Sequence, residues 1–269
     1  MTTRPFLTAL FSVFALFSLP LAAADVESFH QSDDTSDTRI DHTEWDRILA
    51  AYLSRTEDNV NLFDYAGVSA ADKAALKAYI ASLEAVDPTS LNRNEAFAYW
   101  ANLYNAVTID VVLENYPVKS ILRIRSGLRP GPWKRKLVTI NGEELSLDNI
   151  EHDIMRKYLR DPRIHYAVNC ASYGCPNLAE KAFTGDNLEE MLDAGARAYI
   201  NHPRGITIED GRVTASSIYK WFQEDFGGTE AGVIEHMKPY AEPALKAQLE
   251  TISDIDRFKY DWALNQAGK

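Results

Sequence analysis

The chain holds two cysteines, both in the segment Asn169-Cys170-Ala171-Ser172-Tyr173-Gly174-Cys175-Pro176. Gly and Pro mark this segment as a loop, and loops at element ends present side chains for function. Three chemistries are open to a C-x4-C pair. It can close a short disulfide between Cys170 and Cys175 in an oxidising compartment. Cys170 can be a nucleophile if a histidine takes its proton. Both can be inert, buried thiols. Zinc fits poorly, because two Cys without a nearby His at ligand spacing leave its coordination incomplete. No metal or cofactor is expected.

The candidate bases lie upstream. Residues 148–159 have helical periodicity, with Ile150, Ile154, Met155 and Tyr158 forming an apolar arc. At about 100° per residue Glu151 falls inside that arc and His152 on its border. A carboxylate on a buried face needs a partner. It serves either a structural ion pair or the orientation of an imidazole, as the third member of a triad. His165 sits in Ile164–Asn169, which reads as a buried strand. Strand parity puts His165 and Cys170 on opposite faces. They meet only if the chain bends after Asn169.

Two further groups could bind substrate. Asn102 and Asn105 lie in the apolar stretch 94–114 with Trp100 and Tyr104. Buried amides must be hydrogen-bonded. They either brace loops or donate to a developing oxyanion. Arg123, Arg125, Arg129, Lys134, Arg135 and Lys136 form a basic stretch interleaved with Gly and Pro. It is either solvated surface or a loop that receives a carboxylate or phosphate.

The elements that must position these residues alternate between helical and strand periods. Trp45, Ile48, Leu49, Tyr52 and Leu53 define one amphipathic helix, and Leu76, Tyr79, Ile80 and Leu83 another. The stretch 94–114 is apolar all round, which predicts a central helix. Asn141-Gly142 and Asp210-Gly211 each separate two β-rich runs and predict hairpins with type I′ turns. Helices are expected near 188–200, 217–225 and 229–240, and a last strand over 258–262. Helices and hairpins in mixed order predict an α+β class: a central helix packed on a small antiparallel or mixed sheet.

The N-terminus carries an address. Arg4 precedes an apolar run, Phe6 to Leu19, then Pro20 and the small residues Ala22, Ala23 and Ala24. This is the pattern of a signal peptide cleaved after Ala24, and it predicts a periplasmic or secreted protein with no membrane span after cleavage. Residues 25–42 are polar and acidic and read as a flexible leader. Residues 43–269 are expected to form one globular domain. The net charge of −11 becomes −12 on cleavage, because the removed segment carries Arg4 and no acid. That balance argues against nucleic acid as a partner and leaves a small-molecule or peptide substrate. No motif sets an oligomeric state.

Several blocks in order resemble the DUF547 family, found in bacterial exported proteins and in plants. They are Tyr99-Trp100-Ala101-Asn102-Leu103-Tyr104-Asn105-Ala106, Leu147-Asp148-Asn149-Ile150-Glu151-His152 with Arg156, and His165-Tyr166-Ala167-Val168-Asn169-Cys170 running to Cys175-Pro176. Ser217–Phe222 with Asp225-Phe226, and Tyr260–Asn265, match further blocks. The family in turn resembles the papain/transglutaminase group of cysteine hydrolases, although there the nucleophile precedes the His and here His152 and His165 precede Cys170. The resemblance implies a cysteine-dependent hydrolase or acyl transferase acting on a peptide or amide. Cys170 is then the nucleophile, His152 or His165 the base and Glu151 an orienting carboxylate. Asn102 or Asn105 would steady the oxyanion, and Arg125, Arg129 and Arg135 would hold substrate. The alternative is a non-catalytic module that binds a ligand or protein, with Cys170 and Cys175 bridged.

Overall fold

The computed structural model describes residues 24–125 and 127–268. The apolar run and most of the small-residue site of the expected signal peptide lie outside these residues. Among the described residues no helix is long and apolar enough to cross a membrane.

Helix α3, Arg93–Asn115, is the axis of the larger core. Asn92 caps its N-terminus by accepting from the Glu95 backbone N–H, and Pro117 follows its end. It is buried on every side, as its all-round apolar composition requires. Helices α1, Thr43–Tyr52, and α2, Ala70–Glu84, bury Trp45, Ile48, Leu49, Leu76, Tyr79 and Leu83 beside it. Strands β1, Leu53–Arg55, and β2, Asn61–Phe63, pair antiparallel. This hairpin is not signalled by the sequence, because each strand is three residues long.

The two expected hairpins are present. Strands β3, Val138–Ile140, and β4, Glu143–Leu145, flank Asn141-Gly142. Strands β5, Ile206–Glu209, and β6, Arg212–Ser216, flank Asp210-Gly211. All four turn residues have positive φ, as a type I′ turn demands. Strand β7, Arg257–Lys259, adds parallel to β6 and makes a mixed three-stranded sheet. A short helix, α4, Ile164–Ala167, precedes the cysteine loop. The longer α5, Leu188–Ile200, packs on the mixed sheet with α6, Ser217–Trp221, α7, Glu230–Met237, and α8, Pro243–Leu249, to form a second core. The class is α+β, with the helices outweighing small antiparallel and mixed sheets.

Two local expectations are corrected. Ile164–Ala167 is helical rather than a strand, and the chain becomes extended only at Val168. Its apolar residues meet core on more than one side, so burial rather than period 2 set their pattern. Asn149–Leu159 is a π-helix. Its i→i+5 winding turns the chain less per residue than an α-helix, so neighbouring side chains diverge less around the axis.

Residues 25–42, expected as a flexible leader, are tied to the fold at several points, of which three reach the helices of the larger core. Phe29 is 2% exposed and meets Trp100 edge-on at 5.4 Å. His42 bonds Tyr79 Oη through Nδ1 at 2.7 Å, and the Ile40 N–H donates to Glu95 at 2.8 Å. A polar composition conceals anchors spaced this far apart.

The C-terminal segment closes the site region. Tyr173 and Gly174 donate backbone N–H bonds to Ala263 and Asp261, and the Asn265 N–H donates to Ala171. The cysteine loop is thereby laced to residues 261–265. Gly174 must be glycine: a Cβ there would lie 2.8 Å from the Asp261 nitrogen and 2.9 Å from its oxygen.

Candidate active site

A cavity of about 240 Å³ opens between the core around α3 and the second core around the mixed sheet. Cys170, Cys175, His152, His165, Glu151 and Asp148 all line it. The four residues expected to do chemistry therefore converge. His165 reaches the same cavity as Cys170 because α4 replaces the strand whose parity kept them apart.

Cys170 and Cys175 are thiols with sulfurs 2.7 Å apart, longer than a covalent S–S bond of about 2.05 Å. Cys170 is half-buried and Cys175 is 4% exposed. Donors converge on the inner sulfur: the Cys170 backbone N–H and the Tyr260 hydroxyl each donate to Cys175 Sγ at 3.1 Å. Burial pushes the Cys175 thiol up, but hydrogen bonds from Cys170, Tyr260 and Ser172 outweigh it and bring it down to about 7. The Cys170 thiol is pushed well up, first by its bond to Cys175 and then by burial. The donors that converge on Cys175 favour a thiolate there over one on Cys170.

Arg156, Asp225 and His165 form a second constellation. His165 Nε2 lies 2.7 Å from Asp225 Oδ2. Arg156 donates to the same carboxylate through Nε at 2.5 Å and Nη2 at 3.1 Å. Burial raises the Asp225 carboxyl, and the bonds from His165 and Arg156 reverse this and hold it at about 2. Phe222 stacks on the His165 ring at 4.2 Å and 18°. The imidazole is fixed by an ionised carboxylate on one nitrogen, with Nδ1 facing Glu151 at 4.0 Å. Glu151 is also 3.8 Å from His152 Nδ1. Both distances exceed a hydrogen bond. The phenol beside Glu151 is that of Tyr104, which burial first and the Glu151 carboxylate second push well up. The residue that orients an imidazole here is Asp225. It falls in one of the family-like blocks, but its distance from His165 along the chain conceals the pairing.

The expected substrate-binding residues stand elsewhere. Asn102 donates to Phe183 O at 2.7 Å and accepts from the Phe183 N–H. Asn105 donates to Ala167 O at 2.9 Å and accepts from the Asn169 N–H at 2.8 Å. Neither lines the cavity. Their polar groups are consumed in bracing, and Asn105 clamps the chain that delivers Cys170. Arg125 and Arg129 are exposed, Arg135 is half-buried, and none of the three reaches the cavity. The basic loop contributes Trp133 to the wall instead. Among the described residues no cluster of three or more His, Cys, Asp and Glu could hold a metal ion.

Residues 88–200 match the family model described as "Protein of unknown function, DUF547". This segment is a DUF547 domain. No curated protein and no solved structure matches the chain. The matched DUF547 segment holds both thiols, both cavity imidazoles and Glu151. Trp221, Phe222, Tyr260 and Trp262 close the cavity from beyond its C-terminal end, and Asp225 reaches His165 from there.

Proposed function

We propose that this DUF547 protein is an exported, cysteine-dependent hydrolase or acyl transferase acting on a peptide or amide. One observation carries the reading: a thiol pair with a lowered thiolate and an imidazole held by an ionised carboxylate line one cavity. A nucleophile, a base and an orienting group are the parts that acyl transfer needs. Cys170 is the nucleophile, because it is the more exposed sulfur. It attacks the substrate carbonyl while its proton passes to the Cys175 thiolate. The carbon–sulfur bond forms, the carbon–nitrogen bond breaks, and a protonated imidazole gives its proton to the leaving amine. Water or a second amine then attacks the thioester and returns a proton to the imidazole. The carbon–sulfur bond breaks, and Cys170 regains its proton from Cys175.

The test is site-mapped alkylation of reduced, folded protein with iodoacetamide across pH, alongside p-nitrophenyl acetate as acyl donor. Cys170 should be labelled with a midpoint near the pH where Cys175 ionises, about 7, and should retain an acetyl thioester. Cys175→Ser should move the midpoint upward. Labelling no faster than in the urea-unfolded chain, with no thioester, would overturn the proposal. A second reading rests on the 2.7 Å approach of the two sulfurs: oxidised to a disulfide, the pair leaves a non-catalytic module that binds a ligand or protein. Intact mass before and after reduction separates the two.

A further inference from the structure

One wall of the cavity is built from four aromatic rings on three segments. Trp133 comes from the basic loop, Trp221 from α6, and Tyr260 and Trp262 from the C-terminal segment. Ring centroids lie 4.9 Å apart for Trp221 and Tyr260, 5.5 Å for Trp221 and Trp262, 4.6 Å for Tyr260 and Trp262, and 5.8 Å for Trp133 and Trp262. Their mutual tilts run from 30° to 68°. Rings tilted in this way pack on one another along the cavity wall and do not form the coplanar platform that stacks a sugar or base. Trp221 is left 47% exposed at the rim.

The permanent charges of the lining have one sign. Asp148 and Glu151 are its carboxylates, and among the described residues no lysine or arginine lines it. Asp148 has two basic groups near it, each at 3.8 Å: His152 Nε2, and Lys134 on a side chain that is 60% exposed. Neither is within hydrogen-bond reach. Burial outweighs the attraction of both and raises the Asp148 carboxyl. Cations elsewhere do sit over rings, as Arg156 over Phe222 at 4.8 Å. Among the described residues none sits over Trp133, Trp221, Tyr260 or Trp262.

We infer that this aromatic box, with Asp148 and Glu151 at its side, binds an alkylammonium group. Tilted aromatic faces and nearby carboxylates both stabilise a cation, the first through the ring quadrupole and the second by direct attraction. The cavity is smaller than a typical drug-sized pocket, so it takes one ammonium-bearing chain of a larger molecule. The acidic chain as a whole favours approach of such a molecule. The inference rests on the proposed function and deepens it: it names the side-chain chemistry beside the amide that Cys170 attacks.

Tryptophan fluorescence titration with n-butylammonium and choline, each against a neutral isostere (n-pentanol and 3,3-dimethylbutan-1-ol), tests it on the protein lacking residues 1–24. Both cations should saturate the signal and bind at least about tenfold tighter than their isosteres. Trp221→Leu, at the exposed rim, should weaken the cations at least about fivefold and leave the isosteres little changed. Isosteres binding as well as the cations, or no saturable signal from either cation, would overturn the inference. Ammonium binding with an inert Cys170 would sink the catalytic reading alone; a reactive Cys170 without ammonium preference would sink this one alone.

Discussion

Asp225 shows how one side chain joins stability to chemistry. Its carboxylate accepts from Arg156 and is bonded to His165, and its carboxyl is held at about 2, below the ordinary 3.8. A lowered carboxyl contributes stability that is full above the unfolded-state value. That stability declines below it and is lost as pH falls through about 2. Asp225→Asn should cost roughly 1–3 kcal/mol at pH 7, because it leaves a partly buried Arg156 without its counter-charge. Urea unfolding at pH 7 and pH 3 checks this. The difference between the proteins should shrink at the lower pH, and an equal difference at both would show that the charge is not what matters. The variant should also slow acylation of Cys170 by an amide donor, such as an N-acyl anilide, more than it slows alkylation, since only departure of an amine needs an oriented proton donor.

At the scale of elements, the cysteine loop owes its shape to neighbours distant in sequence. Asn105 of α3 holds the backbone on both sides of Val168, and residues 261–265 hold it from Ala171 to Gly174. Ala171 has φ +57°, an uncommon value for a residue with a side chain, and its N–H is satisfied by Asn169 Oδ1 at 2.8 Å. Gly174→Ala should push Asp261 away and carry Tyr260 off the Cys175 sulfur. The expected result is a loss of roughly 1–3 kcal/mol in thermal or urea unfolding, with slower alkylation of Cys170 at neutral pH. Unchanged labelling would show that the lacing does not set the thiol pair. The π-helix acts on the other wall, where its wide winding lets consecutive Glu151 and His152 both border the cavity. π-Helical turns are rare and recur at functional sites.

For the whole molecule, the segment after Ala24 is the least obvious structural part. Phe29 seals the α3 core beside Trp100, and His30 Nε2 lies 2.7 Å from the Asp153 carbonyl of the π-helix. The segment thus spans from the central helix to the element that carries His152. Phe29→Ala should destabilise the protein by about 3 kcal/mol, the low end for a buried Phe, because a terminal segment can partly readjust. Chemical denaturation checks this, and a change below about 1 kcal/mol would show that the segment only covers the surface.

Helices α1, α2, α3 and α5 were legible in the sequence because each repeats apolar residues over several turns or is apolar throughout. The two type I′ hairpins were legible because Asn-Gly and Asp-Gly relieve the positive φ their turns require. The chemistry-bearing residue types around Cys170 were legible as a set. Their roles were not. Short elements buried on several sides carry no clear period, so Ile164–Ala167 read as a strand and His165 fell on the face away from Cys170. Asn102 and Asn105 could not be assigned from sequence, since a buried amide must satisfy its nearest backbone groups and only the folded chain determines which those are. The pairing of His165 with Asp225 spans 60 residues, and the aromatic box joins three separate segments. Local composition and period therefore determined the elements of this protein and the residue types of its site. Which side chains meet across the chain was decided by packing, because no local pattern encodes proximity between distant segments.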